Sequence, residues 1–195
     1  MSFIEDGAGS GNKVQVDTEL RIRAATHAVA AADADAIEGD AYLLNTGTIN
    51  LTSATVSAVW YLKNTGSTPI IVSAITVCLG TSTGGSGDAL VEVLRGPTAG
   101  TLVSAGTAVA PLNRDFTSSK TLTATCLKGA EGSTATDGGA FLTASYSTVG
   151  VKEIPMREVR LPANGSIAVR ITPPSTNSSQ NVQVLAELRS AVLPE

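Results

Sequence analysis

Short runs of β-branched residues, each broken by glycine, proline, asparagine or serine, are the feature that most constrains this chain of 195 residues. Val, Ile and Thr favour extended backbone, whereas the residues that break the runs favour turns. Such runs begin at residue 41 and continue through the rest of the sequence. The strands that they predict are residues 41–51 (with a break at 45–47), 56–63, 69–79, 89–95, 101–103, 122–127, 140–147, 159–161, 166–172 and 181–192.

This spacing of strands, together with a low content of long helix-forming side chains, predicts an all-β fold. Aromatic residues make up only 4% of the chain, so its core must consist of Val, Ile, Leu and Ala. Near the C-terminal end, Ile167, Val169 and Ile171 alternate with Arg170 and predict a strand with one buried face. We therefore predict an antiparallel β-sandwich, of jelly-roll or immunoglobulin-like type, over residues 41–195.

Two local features refine this prediction. The turn-forming residues 64–67 between two apolar runs predict a hairpin that pairs residues 56–63 with residues 69–79. Trp60 and Tyr61 are neighbours on the first of these strands, so their side chains point to opposite faces. We expect one of them in the core and the other at an interface, and the sequence does not distinguish the two.

Residues 1–40 differ from the rest because they contain no run of large apolar residues. Three basic residues stand against eight acidic ones in this stretch, a net charge of −5, whereas the remaining residues carry +1. About 38 extended residues at ~3.3 Å each span roughly 125 Å. Such a segment either stays disordered or becomes ordered on another chain. We predict an extended N-terminal arm and linker over residues 1–40.

Parts of this arm carry patterns of their own. Apolar and polar residues alternate in residues 14–16 and 20–24, which suits pairing with the open edge of a neighbour's sheet. The alanine-rich residues 24–36 favour either a linker or a short helix, and we favour the linker. The acids Asp33, Asp35, Glu38 and Asp40 suggest a solvated linker, with an assembly-site calcium as the alternative. No metal site is predicted from them.

Little in the chain supports catalysis, and we predict that it is not an enzyme and needs no cofactor. Its one histidine, His27, falls in the arm, so a Ser-His-Asp arrangement has no base in the predicted body. Its two cysteines, Cys78 and Cys126, are interpreted as reduced, buried apolar residues, with a disulfide between facing sheets as the alternative. The glycine-rich segments lack the lysine of a phosphate-binding loop.

Charge and hydropathy argue against nucleic-acid and membrane partners. The basic residues form no patch along the sequence, and the net charge of −4 opposes binding to nucleic acid. No stretch approaches about 18 consecutive apolar residues, and no signal peptide is recognisable. We therefore expect synthesis in a cytoplasm and no membrane span.

Several stretches resemble virion structural proteins of tailed bacteriophages. The glycine-rich opening IEDGAGSG (residues 4–11), followed by VD (16–17) and LRI (20–22), is similar to the N-terminal arm of many such proteins. Further similar stretches follow the arm. They are GDAY (39–42), NTGTINLT (45–52), LKN (62–64), STGGSGDA (82–89) and KGAEG (128–132).

This resemblance implies a non-enzymatic virion component, most plausibly a capsid decoration or cement protein that is assembled in the host cytoplasm and located on the capsid surface. It implies as partners the major capsid protein and further copies of this chain, as a trimer or dimer. We predict that the arm bridges capsomers and that its anchoring residues are Phe3, Ile4, Val14, Val16, Leu20, Arg21, Ile22 and Arg23.

Two alternatives stay open at this point. A tail, neck or fibre-base structural protein would use the arm for docking at a different place in the particle. A host-receptor or carbohydrate-binding sandwich would need aromatic residues on exposed loops, whereas the predicted loops here are rich in Thr, Ser and Gly.

Overall fold

The computed structural model describes residues 2–5, 13–16, 38–52, 54–82, 87–147, 149–174 and 179–191. The chain divides into two compact units, residues 1–31 and residues 32–195. In the first unit, β1 (Ser2–Glu5) pairs antiparallel with β2 (Lys13–Val16). The boundary that the sequence predicts at residue 40 stays a prediction.

The described part of the second unit consists of strands and one short helix. The strands are β3 (Ala41–Asn45), β4 (Ile49–Leu51), β5 (Ser57–Asn64), β6 (Ile70–Ser82), β7 (Ala89–Arg95), β8 (Thr107–Ala108), β9 (Leu112–Asn113), β10 (Ala124–Lys128), β11 (Gly139–Tyr146), β12 (Gly150–Glu153), β13 (Val159–Leu161), β14 (Ser166–Thr172) and β15 (Gln180–Ser190). The helix is α1 (Thr101–Ala105). The predicted all-β class is confirmed.

These strands form two antiparallel sheets. The first sheet has the order β11-β7-β14-β5-β10-β8. The second has the order β12-β6-β15-β3-β9, with β13 also paired to β6 and β4 also paired to β15. Apolar residues from both sheets share one core, so the sheets face each other as a sandwich.

The connectivity identifies the sandwich as a jelly roll. The chain passes from β4 in the second sheet to β5 in the first, to β6 in the second and to β7 in the first. After β11 it alternates again, through β12 and β13, then β14, then β15. β3 and β4 pair with successive parts of the same strand, β15, and so occupy one strand position. In an immunoglobulin-like sandwich the first two strand positions share a sheet, whereas here the next strand, β5, lies in the other sheet. Of the two predicted types, the jelly roll is therefore the one observed.

The predicted hairpin between β5 and β6 is wrong, although both strands exist. β5 pairs with β14 and β10 in the first sheet, whereas β6 pairs with β15, β12 and β13 in the second. The turn residues between them therefore carry the chain from one sheet to the other. The local turn signal was correct, but strand partners depend on burial of the whole strand, which a turn does not reveal.

Asn64 holds this crossing in place from a fully buried position. Its side-chain amide donates hydrogen bonds to the carbonyls of Thr68 (2.9 Å) and Leu161 (3.1 Å). Its side-chain oxygen accepts a bond from the Gly66 N–H at 2.9 Å. One amide side chain therefore supplies hydrogen-bond partners to the backbone groups of the crossing and also attaches the crossing to the end of β13.

The core is mainly aliphatic, as the composition predicts, and Trp60 and Tyr42 are the two aromatic residues buried in it. Trp60 is fully buried there, together with Ile167, Val169 and Ile171 of β14, and the predicted alternation of β14 is confirmed. A β-bulge between β5 and β14 skips Val59, so that Val59 and Trp60 both belong to the central cluster.

Residues 96–138, which we call the inserted layer, connect β7 to β11. They add β8 and β10 to the first sheet and β9 to the second. Part of this segment covers the outer face of the first sheet, where Leu102 of α1 packs with Tyr61, Leu94 and Ala168 in a second buried cluster. Tyr61 is therefore buried as completely as Trp60, and the expectation that one of the two lies at an interface is wrong. The inserted layer supplies the cover that the sequence pattern did not predict.

The predicted strand at residues 101–103 is also wrong, because these residues form the start of α1. Their β-branched composition favours a strand, but Gly100 turns the chain with φ 113° immediately before them. A Cβ on Gly100 would lie 2.3 Å from the Thr134 carbonyl oxygen, so only glycine fits. The N–H of Leu102 then donates to this same carbonyl at 3.0 Å. Tertiary contacts therefore override local propensity.

We expect Asn64→Ala to lower the free energy of unfolding by about 2–4 kcal/mol, because it leaves buried backbone groups without partners. Chemical denaturation followed by tryptophan fluorescence measures this change. Ser67→Ala, at an exposed position of the same crossing, serves as the matched control and should be nearly neutral. Equal effects of the two substitutions would contradict the role given to Asn64.

Candidate functional site

The predicted arm residues fall partly within the described structure. Phe3 and Ile4 lie in β1, and Val14 and Val16 lie in β2. In the antiparallel register, Ile4 is opposite Val14, Phe3 is opposite Gln15 and Ser2 is opposite Val16. The other four predicted residues lie outside the described residues, and so does the segment 24–36. Those residues are Leu20, Arg21, Ile22 and Arg23.

The described residues form no cluster that could bind a metal ion. They contain no group of three or more His, Cys, Asp or Glu side chains placed to hold a metal ion. His27, Asp33 and Asp35 lie outside the described ranges. Within those ranges no helix is long and apolar enough to cross a membrane.

Both cysteines are free thiols in different sheets. Cys78 is half-buried on β6, and Cys126 is buried on β10. Burial raises the pKa of the Cys126 thiol to about 12, so this group stays protonated and unreactive at neutral pH. The interpretation of the two cysteines as unpaired residues agrees with this arrangement, although Cys78 is less buried than predicted.

The end of the predicted acidic cluster belongs to the sandwich. Glu38 is exposed, whereas Asp40 is buried and accepts a 2.9 Å ion-paired hydrogen bond from Lys120. This bond raises the pKa of Lys120. The solvated-linker interpretation is therefore wrong for Asp40, which attaches the start of β3 to the inserted layer.

One edge of the sandwich carries an open groove with apolar walls, which we call the edge groove. It lies between β11 of the first sheet and β13 of the second and has a volume of about 480 Å³. Its apolar walls are formed by Phe141, Val159, Leu161, Pro162 and Ile167. Phe141 sits at a β-bulge of β11 that interrupts the pairing with β7, and it is partly exposed.

Charged residues surround these apolar walls. Arg95 and Arg160 line the edge groove and are exposed, and neither makes an ion pair within the described part of the chain. Glu158 also lines the groove, but its carboxylate accepts hydrogen bonds from Arg189 at 2.9 and 3.0 Å. The groove therefore presents two available guanidinium groups and favours an acidic or apolar ligand.

A second surface feature is the Phe116 loop, residues 113–118, which follows β9. Phe116 is 100% exposed at this loop. Asn113 donates from its amide to the carbonyls of Gly39 (2.7 Å) and Lys120 (3.2 Å), and its side-chain oxygen accepts from the Asp115 N–H at 2.8 Å. A network of side-chain bonds therefore holds the loop in one shape.

Asp115 completes this network. Its carboxylate accepts hydrogen bonds from the Thr117 N–H (2.8 Å) and the Thr117 hydroxyl (2.7 Å). These bonds lower the pKa of Asp115, so a negative charge stands directly beside the exposed phenyl ring.

The outer face of the second sheet adds apolar surface near this loop. Leu43 on β3 is opposite Leu112 on β9, and both side chains are exposed, Leu112 to 71%. Together with Phe116 they give this edge of the sandwich three exposed large apolar residues. Single exposed apolar residues are ordinary, whereas a cluster at a sheet edge is typical of an interaction surface.

Sequence reasoning missed both the edge groove and the Phe116 loop. It described the loops as rich in Thr, Ser and Gly and without displayed aromatic residues, and Phe116 shows that this is wrong. A signal for the loop was present, since Phe116 stands alone among the turn-forming residues 113–119 (NRDFTSS). The groove has no such signal, because its walls come from strands that are distant in sequence.

The solved structures described below resemble this chain with low sequence identity and low TM-scores. No protein-family model and no curated protein matches the chain. Structures of T=1 particles derived from infectious bursal virus show 14% identity over 79% of this chain and 40% of that chain, with a TM-score of 0.24. A mutant VP2 protein of infectious bursal disease virus shows 12% identity with the same coverage and a TM-score of 0.22.

A VP2 subviral particle of the same virus shows 13% identity over 79% of this chain and 42% of that chain, with a TM-score of 0.20. This chain therefore spans about two fifths of the length of these neighbours. At such TM-scores a shared fold is not inferred, and the jelly-roll assignment rests on the strand order alone.

We expect Asn113→Ala to loosen the Phe116 loop, because it removes four hydrogen bonds from the base of the loop. Chymotryptic cleavage after Phe116 should accelerate about 5- to 30-fold, since cleavage tracks the local opening equilibrium. Ser119→Ala, an exposed position on the same segment, is the matched control. If both variants are cleaved at the rate of the unmodified protein, the network does not restrain the loop.

Proposed function

We propose that this chain is a non-enzymatic structural protein of a bacteriophage virion, most specifically a capsid decoration or cement protein. In this proposal the sandwich sits on the outer shell, and the N-terminal arm extends across neighbouring capsomers. The arm contacts are made by Phe3, Ile4, Val14, Val16, Leu20, Arg21, Ile22 and Arg23. The partners are the major capsid protein and further copies of this chain.

The observation that carries the proposal is the combination of a jelly-roll body with a separate N-terminal unit. Jelly rolls are frequent in viral shells, although the same fold also occurs in lectins and cupins. The resemblance of residues 4–11 and of the stretches after them to phage virion proteins selects among these classes.

The physical mechanism of such a protein is linkage between binding and stability. A protein that binds the assembled shell and not the dissociated subunits raises the stability of the shell by mass action. An extended arm covers a large area and supplies backbone hydrogen bonds to an exposed strand edge. Ordering the arm costs conformational entropy, and many copies on a symmetric lattice compensate for this cost.

The copy number per purified particle tests this proposal. Quantitative mass spectrometry against the major shell protein should give a ratio near one to one or a small simple fraction of it, as lattice symmetry requires. A few copies to a few dozen per particle would instead support the tail, neck or fibre-base alternative. Absence from the particle would overturn the virion proposal.

We expect the double substitution Leu20→Asn and Ile22→Asn to weaken binding of the full-length chain to particles about 100-fold or more, because each apolar side chain loses its burial. Thr18→Asn combined with Thr26→Asn is the matched control in the same arm and should bind normally. Co-sedimentation with particles measures both variants. Unchanged binding of the Leu20 and Ile22 variant would remove these residues from the interface.

A receptor- or carbohydrate-binding function is the second candidate, because Phe116 displays an aromatic ring as such sites require. Sugar binding also needs free polar groups beside the ring to bond hydroxyls. The side chains of Asn113 and Asp115 are already engaged in holding the loop. The chemistry at Phe116 is therefore apolar and charged, from the ring, Asp115 and the exposed Arg114, which favours a protein surface over a sugar.

A further inference from the structure

We propose that copies of this chain join edge to edge, with Phe116 of one copy inserted into the edge groove of the next. The occupant of the groove is therefore a second copy of the same chain. The contact is heterologous, since its two sides are different surfaces. This inference rests on the proposed function as an assembly protein and specifies how neighbouring copies meet.

The edge groove and the Phe116 loop lie on opposite edges of the sandwich. The edge groove lies where β11 and β13 come together, and the Tyr146 hydroxyl of β11 donates to the Glu153 carbonyl of β12 on the same side. At the other ends of the two sheet orders stand β8 and β9, which residues 107–113 connect. The Phe116 loop continues directly from β9 and so belongs to that second edge.

The edge groove and the Phe116 loop also lie at the same position along the strand direction. Across the second sheet, Arg160 is opposite Ile71, Ile71 is opposite Arg189, and Arg189 is opposite Ala41. The carbonyl of Ala41 then accepts a hydrogen bond from the N–H of Arg114. One row of residues therefore runs from the groove to the base of the Phe116 loop.

The Phe116 loop and the edge groove are also complementary in polarity and charge. The phenyl ring of Phe116 matches the apolar walls of the edge groove, which is roomy enough to hold it. Asp115 stands beside the ring, and Arg95 and Arg160 stand beside the groove without ion-pair partners among the described residues. The loop also carries the exposed Arg114, so the complementary pair is the Asp115 carboxylate with the guanidinium groups of Arg95 and Arg160 and not the net charge of the loop.

This geometry has a consequence for the assembly. A heterologous contact produces a closed ring if successive copies return to the starting level, and a filament if they do not. Because groove and loop share one row of the sheet, joining them requires little displacement along the strands. The geometry therefore points to a ring around an axis parallel to the strands, which is the form that a shell position with rotational symmetry accepts.

Site-specific photocrosslinking of the full-length chain tests the contact. p-Benzoylphenylalanine replaces Phe116 and keeps an aromatic group at the loop, and an equal mixture of isotopically heavy and light protein identifies links between copies. We expect links to form between copies and to map to Phe141 or to residues 158–162. Val56, 44% exposed just before the interior strand β5, carries the same probe as the matched control and should not give these links.

Three outcomes would overturn the inference. Links from position 116 to the Phe116 loop of another copy would indicate an isologous contact. Links only to a different virion protein, or to a receptor or glycoprotein, would assign Phe116 to another partner. An oligomer that forms with no link at the groove would place the contact elsewhere.

A second variant gives an independent measurement. Phe116→Ser should weaken self-association about 10- to 100-fold in sedimentation velocity, whereas Val56→Ser should leave it unchanged. Since Phe116 is fully exposed, the thermal midpoint of unfolding of the monomer should not move. Equal self-association of the two variants would contradict the inference.

The same measurements on purified particles separate the two proposals. If the chain is present in particles but position 116 gives no groove link there, the edge contact is wrong and the virion role stands. If the chain is absent from particles while the groove link forms in solution, the virion role is wrong and the edge contact stands.

Discussion

Burial of β5 on both of its faces is the constraint on which the rest of the structure depends. Its inner face places Trp60 and Leu62 in the core between the sheets, and its outer face places Ala58 and Tyr61 under the inserted layer. A strand buried on two faces has no solvent-facing row, so it reads as a continuous apolar run rather than an alternating one. The sandwich is therefore complete only when residues 96–138 close over the first sheet.

The inserted layer depends on β5 in turn, at the level of the backbone. Every residue of β10 pairs with β5, and the N–H of Ala58 donates to the Ser133 carbonyl at 2.7 Å. A Cβ on Gly129 would lie 2.0 Å from the Ala58 carbonyl oxygen, so glycine alone allows this approach. Layer and strand are thus one cooperative unit, since neither satisfies its buried backbone groups without the other.

The sequence predicted those features that depend on local pattern and missed those that depend on partners. The alternation in β14 and the turn after β13 follow from a few neighbouring residues, and both are observed. The pairing of β5 follows from burial on two faces, which no turn signal encodes, so the hairpin prediction failed. One of Trp60 and Tyr61 was expected at an interface, and this failed because the cover of Tyr61, Leu102 and Ala135, comes from residues more than 40 positions away. The edge groove was invisible for the same reason.

The jelly roll leaves its own edges as the places where further association is favourable. Among the described strands, β11 pairs only with β7, and its eight residues carry no charge and no proline. Natural sheet edges are usually protected from further pairing by charged residues or proline. The edge strand β11 has only the bulge at Phe141, so another chain can cover it. The opposite edge carries the Phe116 loop, which exposes an apolar side chain where a protected edge would carry a charged side chain. The proposed contact between copies needs one receptive edge and one projecting edge, and this asymmetry is a property of the fold rather than of any single residue.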